Sequence, residues 1–146
     1  MFKKKISYVD FNGTQRTEDF YFHLSVPEVT RLEAKVGGKP LEEYTKELVH
    51  NQDMEKMIQF IEDLVISSYG VKSDDGKRFL KGPKIREEFE YSQAYAELFE
   101  ELLLKPDAAR KFAEGIGTQT KNSKKRKTQK TNNLKLVEEA EETEEN

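Results

Sequence analysis

The chain has 146 residues, of which 35% are hydrophobic and 36% charged, with a net charge of −3. That length suits one domain with appendages and leaves no room for two full domains. It holds no cysteine, which excludes disulfides and thiolate metal sites. No run approaches the roughly 18–20 apolar residues of a membrane span. The basic start MFKKKISYVD lacks the apolar segment of a secretion signal, so a soluble protein made in a cytosol is expected.

All nine Phe and six Tyr fall within the first 112 residues, and each can bury about 150–250 Å². In chain order, ISYVDF, Asn12-Gly13 and a polar run into DFYFHLS predict a β-hairpin. Asn-Gly suits a type I′ turn, in which both central residues have positive φ. Phe20, Phe22 and Leu24 fall on one strand face, Tyr21 and His23 on the other. Aromatic rings on both faces predict partial cover of the second side, by a helix or another subunit. Ser25 as cap, Pro27 near the first turn and Glu28 against the dipole predict a helix whose apolar face is Val29, Leu32 and Val36, stopped at Gly37-Gly38. Pro40 opens a second helix with Leu41, Tyr44 and Leu48 on one stripe.

Met54, Met57, Ile58, Ile61, Leu64 and Val65 have the spacing of an amphipathic helix of about four turns, ended by Gly70. Pro83 starts a short helix carrying Ile85 and Phe89. Ser92 caps another, with Tyr95, Leu98, Phe99 and Leu102 inward. Pro106 breaks that helix, and Asp107 caps a last one with Ala109, Phe112, Ala113 and Ile116 before Gly117. The fold class expected is α+β and mainly helical. An N-terminal β-hairpin packs on a bundle of about five short helices, with a small inserted turn or hairpin near 71–80.

From Thr118 the character changes. TQTKNSKKRKTQKTNN has no aromatic or aliphatic residue and carries Lys121, Lys124, Lys125, Arg126, Lys127 and Lys130. LKLVEEAEETEEN then carries Glu138, Glu139, Glu141, Glu142, Glu144 and Glu145. Low hydrophobicity with segregated like charges is the pattern of disorder. A folded domain over 1–117 and a charged tail over 118–146 are expected. The domain then holds 18 positive and 22 negative side chains, a net of −4.

Little here suggests catalysis. Asp74, Asp75 and Gly76 look like part of a calcium loop, but 76–86 holds no acidic residue to close one. Gly76-Lys77 lacks the preceding glycine and following Ser/Thr of a phosphate loop. SDDG therefore reads as an Asx-capped turn with Gly76 at positive φ, after which Phe79 plugs the hairpin onto the helical core. His23 and His50, the only histidines, share no metal-binding spacing, and Ser67 and Ser68 lack a nucleophile elbow. The pairs Glu42-Glu43, Glu62-Asp63, Glu87-Glu88 and Glu100-Glu101 sit on the polar sides of predicted helices. No catalytic residue, metal or cofactor is assigned. The SKKRK run could touch phosphates, but it has no interleaved aromatics for base stacking and lies near a competing glutamate block.

What remains is interaction surface. The two-faced strand, the methionine-bearing helix and the Tyr91/Tyr95/Phe99/Phe112 region carry many large apolar residues for some 115 residues of domain. Methionines suit adaptable contact. Client or self contact is expected among Phe20, Phe22, Met54, Met57, Ile61, Tyr95, Phe99 and Phe112, some of them doubling as core. Tail contacts are expected at Lys124, Lys125, Arg126 and Lys127.

The strings YGVKSDDGKRFLK at 69–81, FEYSQAYAELFEELL at 89–103 and DAARKFAEGI at 107–116 resemble the tail assembly chaperones of long-tailed bacteriophages, especially phages of Gram-positive hosts. The likeness is good over about 58–116, fair for the N-terminal hairpin and absent for the tail. It implies a non-enzymatic chaperone of the host cytoplasm, missing from the mature virion. Such a protein binds and solubilises the long hydrophobic tape measure protein, helps recruit tail tube subunits and tends to self-associate. Many relatives occur in two lengths through a programmed frameshift, so the charged extension suits either a tube-contacting segment or an ordinary C-terminus. Two other classes stay open. One is a small nucleic-acid-binding regulator acting through the basic tail, against which the domain's negative charge works. The other is a structural tail or head–tail connector component. Limited proteolysis is expected to release a stable core ending near residue 117; a digest with no such fragment would contradict the domain-plus-tail division.

Overall fold

The computed structural model describes residues 1–116. The expected boundary at 117/118 and the contacts expected of Lys124, Lys125, Arg126 and Lys127 lie outside the described residues. The order of elements is β1 (Phe2–Val9), β2 (Gln15–Phe22), α1 (Val26–Lys35), α2 (Leu41–Asn51), α3 (Met54–Ser68), β3 (Tyr69–Lys72), β4 (Phe79–Leu80), α4 (Pro83–Glu90), α5 (Gln93–Leu104) and α6 (106–116). The fold is α+β, as periodicity implied, with the hairpin packed on helices. All strand pairs are antiparallel, in the order β1-β2-β3-β4.

The small hairpin expected near 71–80 is present, Val71 pairing with Leu80 and Lys72 with Phe79. Tyr21 pairs with Gly70 and Phe22 with Tyr69, so it also extends the N-terminal sheet. Helix α3 ends at Ser68, and Gly70 lies inside β3 rather than stopping the helix. The Phe79 ring closes over that glycine: a Cβ there would sit 2.5 Å from Phe79 Cε1 and 2.8 Å from the Leu80 carbonyl oxygen. Phe79 is half-buried and also meets His23 edge-on, ring centroids 5.7 Å apart. It therefore covers the second face of the sheet instead of plugging the helical core. The SDDG segment is the Asx turn expected. Asp75 accepts from Ser73 Oγ (2.6 Å) and the Lys77 N–H (3.0 Å), and Gly76 has φ +74°.

Two further readings need correction. The first turn is not type I′, because among non-glycine residues only Gln52 has positive φ and Asn12 does not. Val9 pairs with Gln15, leaving 10–14 as a longer loop. The Asp10 carboxylate accepts the Asn12 and Thr14 N–H groups, both at 2.9 Å, and binds Arg16 Nε at 2.6 Å. That local network fixes the turn where positive φ at Asn12 was expected. Pro106 is the first residue of α6, where its missing N–H costs nothing. Asp107 is then in the first turn, facing Arg110 at 3.7 Å, and is not the cap.

Lys81 ties these pieces together. Its Nζ donates to the His23 carbonyl (2.6 Å), to the Ser67 carbonyl (2.8 Å) and to Glu28 Oε2 (2.6 Å). One side chain thereby joins the end of β2, the end of α3 and the start of α1. The same Glu28 accepts the Ser25 N–H and Oγ, completing the helix start read from sequence. Burial pulls the Lys81 ammonium below its ordinary pKa, offset in part by Glu28. Burial pushes the Glu28 carboxyl up, but hydrogen bonds from Lys81 and Ser25 more than reverse this and leave it low. The Lys81 shift disfavours the ion pair and the Glu28 shift favours it. Geometry decides for the charged form, since three acceptors around Nζ need the three donors that only an ammonium has. Lys81→Met strands two carbonyls and a carboxylate, and is expected to cost about 3–5 kcal/mol in urea unfolding, with Glu28→Gln costing less.

Candidate functional site

Among the described residues no group of three or more His, Asp or Glu side chains is placed to hold a metal. His23 is half-buried against Phe79, with its pKa lowered mainly by burial. His50 is exposed at the last turn of α2. Two of the four carboxylate pairs have a member in an ion pair, Glu42 with Lys46 at 3.6 Å and Glu101 with Lys4 at 2.9 Å.

Nine of the aromatic residues, by contrast, form one connected body, with Tyr44–Phe60 a separate pair. Alternation along β2 aims Phe20 and Phe22 at the helices. Helical spacing on α4 and α5 sends Phe89, Tyr95 and Phe99 to meet them. Phe2 meets Phe112 edge-on at 5.4 Å, and Phe112 meets Phe22 at 5.0 Å. Phe22 contacts Phe89 at 5.8 Å, and Phe89 stacks on Tyr69 at 4.1 Å with planes 18° apart. From Phe89 the chain of rings runs outward to Phe20 (5.3 Å) and then Tyr8 (6.4 Å). A second branch reaches Tyr95 (5.7 Å) and then Phe99 (6.1 Å). Such offset and edge-on pairs add about 0.5–1.5 kcal/mol each beyond area burial.

The eight expected contact residues divide by depth. Phe22, Phe112 and Ile61 are buried core. Phe20, Tyr95 and Phe99 are half-buried on the two outer branches of the ring chain, which meet at Phe89. Met54 and Met57 stand apart from them on α3: Met54 is 54% exposed, and Met57 is half-buried. Met57 lines a small apolar dimple with Ile61, Phe60, Leu48 and Val49. Sequence reasoning missed Tyr8 and Tyr69 as members of the ring chain, and Phe11, 78% exposed in the hairpin loop. Phe11 had a readable signal: it directly precedes Asn12-Gly13, and a turn residue has no inward face.

A family profile described as phage tail assembly chaperone matches residues 1–146, the full given sequence. The chain belongs to the phage tail assembly chaperone family. No curated protein and no solved structure matches it. In this chaperone one of the half-buried rings, Tyr95, carries a shifted phenol. Burial, with Glu62 and Glu90 nearby, pushes the Tyr95 phenol up to about 12. A raised folded pKa favours the neutral phenol, so this contribution to stability is complete below the ordinary pKa near 10. It is lost as pH rises toward about 12. Tyr95→Phe is therefore expected to flatten the fall of the urea midpoint over that range; an unchanged slope would show that Tyr95 is not desolvated as described.

Proposed function

We propose that this chaperone binds and solubilises the tape measure protein and helps recruit tail tube subunits during tail morphogenesis. It acts in the cytoplasm of a Gram-positive host and is missing from the mature particle. The observation that carries the reading is a family match over the full given sequence, together with a surface built for apolar contact. Phe20, Tyr95 and Phe99 form one half-buried patch rooted in the core, and Met54 and Met57 form another on α3. Rigid rings present apolar area with little conformational entropy to lose, and methionines adapt to helices of varied sequence. That pairing suits a long, repetitive, hydrophobic client better than a single shaped ligand. The same patches serve self-association while no client is present. Phe22, Ile61 and Phe112 support these patches from beneath.

The test is co-expression with the tape measure protein of the same phage gene cluster, followed by size-exclusion chromatography with light scattering. A large soluble complex is expected, with the tape measure insoluble when expressed alone. Tyr95→Ser/Phe99→Ser in a chain that still folds is expected to reduce the soluble tape measure by about tenfold, the effect of losing one or two aromatic anchors. A tape measure left in the pellet by the unaltered chain would redirect the reading to a nucleic-acid-binding or virion component.

A further inference from the structure

Strand β1 is an edge of the sheet and pairs with β2 alone. Which of its backbone groups that pairing uses follows from the two ends of β2. The Asp10 N–H donates to the Thr14 carbonyl at 2.9 Å, and the His23 N–H donates to the Ser68 carbonyl at 2.8 Å. With Phe2 opposite Phe22 and Val9 opposite Gln15, the even-numbered residues of β1 bond to β2 and the odd-numbered ones turn their backbone groups away from it. The N–H and C=O groups of Lys3, Lys5 and Ser7 therefore point off the edge. Among the described residues no strand or loop bonds to them.

The two faces beside this edge differ. On the outer face the side chains of Lys3, Lys5 and Ser7 are exposed. Lys3 lies 3.9 Å from Asp19, and Lys5 has no ion-pair partner among the described residues. On the inner face Phe2 and Lys4 border a groove of about 600 Å³ that opens between the start of β1 and the corner joining α5 to α6. Of the four strands only β1 lines it. Its apolar wall is Phe2, Leu102, Leu104 and Phe112, with Leu104 65% exposed. Lys105 and Lys111 on the rim have no ion-pair partner among the described residues, while Glu101 is engaged by Lys4 at 2.9 Å and Asp107 by Arg110 at 3.7 Å. The edge thus combines unused backbone bonds, an apolar trough on one side and uncompensated ammonium groups on both.

We propose that an extended segment of a partner protein, with apolar and acidic side chains in alternation, adds to β1 as a further strand. Pleating sends successive side chains of such a strand to opposite faces. The apolar set continues the line of Phe2 into the groove beside Leu102 and Leu104, and the acidic set lies beside Lys3 and Lys5. Main-chain bonds to Lys3, Lys5 and Ser7 supply affinity, and the alternation supplies selection. A second copy of β1 is a poor occupant. Pairing about the centre of Lys3, Lys4 and Lys5 would set ammonium against ammonium, and lysines on an edge act against self-pairing. An acidic strand removes that repulsion. The site is separate from the aromatic and methionine patches and does not depend on which client they hold.

The test uses the full chain and a capped peptide of alternating Glu and Val, about seven residues long, with a Lys/Val peptide of the same pattern as control. Fluorescence anisotropy at low salt is expected to show the Glu/Val peptide binding at least about tenfold tighter than the Lys/Val peptide. Its binding is expected to slow amide hydrogen exchange at Lys3, Lys5 and Ser7 and to leave Lys4 and Ile6, already bonded to β2, unchanged. Ser7→Pro removes one outward N–H at a place where an edge strand accepts proline, and is expected to weaken binding by about tenfold. Lys3→Glu/Lys5→Glu, at two exposed positions, is expected to weaken it by about the same factor and serves if Ser7→Pro does not fold. Absent or equal binding of the two peptides overturns the proposal, and so does binding that leaves exchange at the three outward N–H groups unchanged. Slow exchange at those groups in the free chain overturns it too; if dilution speeds that exchange, the edge belongs to a second copy.

Discussion

Three elements far apart in sequence meet at one ammonium group. Lys81 is 12% exposed at its side chain and has three acceptors, one just past β2 and one each in α3 and α1. A charge so placed is tolerable only when its donors are all used, because the desolvation cost of an unpaired ion is several kcal/mol. The requirement runs in both directions. The acceptors hold Lys81 in, and Lys81 fixes where the sheet ends, where α3 hands over to β3 and where α1 begins. The two-rung pairing of β2 with β3 would be a weak joint alone; beside this clip it becomes the place where hairpin and helices are registered.

That registration in turn sets the aromatic body. Phe22 and Tyr69 are opposite residues in the β2–β3 pairing, and Phe89 on α4 touches both. Because the rings are linked from the buried Phe112–Phe22 contact out to Phe20, Tyr95 and Phe99, those half-buried rings are held by the core. Met54 and Met57 lie apart from these rings on α3, the first exposed and the second half-buried. No helix of the described residues is long and apolar enough to cross a membrane.

The sequence by itself determined the elements and their inward faces. Period two placed Phe20 and Phe22 together, and helical spacing assigned Leu98, Leu102, Leu64 and Val65 to the core, where all four are buried. The capping chemistry of Ser25, Ser92 and Asp75 was also legible, because it depends on neighbours within a few residues. Tertiary structure alone decided what lies between elements. Gly70 looked like a helix stop, and only the Phe79 ring over it explains why a glycine stands in a strand. Likewise Phe20 and Phe22 are indistinguishable by period, yet one reaches the surface and the other is wholly buried. Local spacing fixes the direction of a side chain, whereas its depth depends on how far the packed helices extend beyond it. That distance is set by long-range contacts such as those of Lys81, and no short window of sequence contains them.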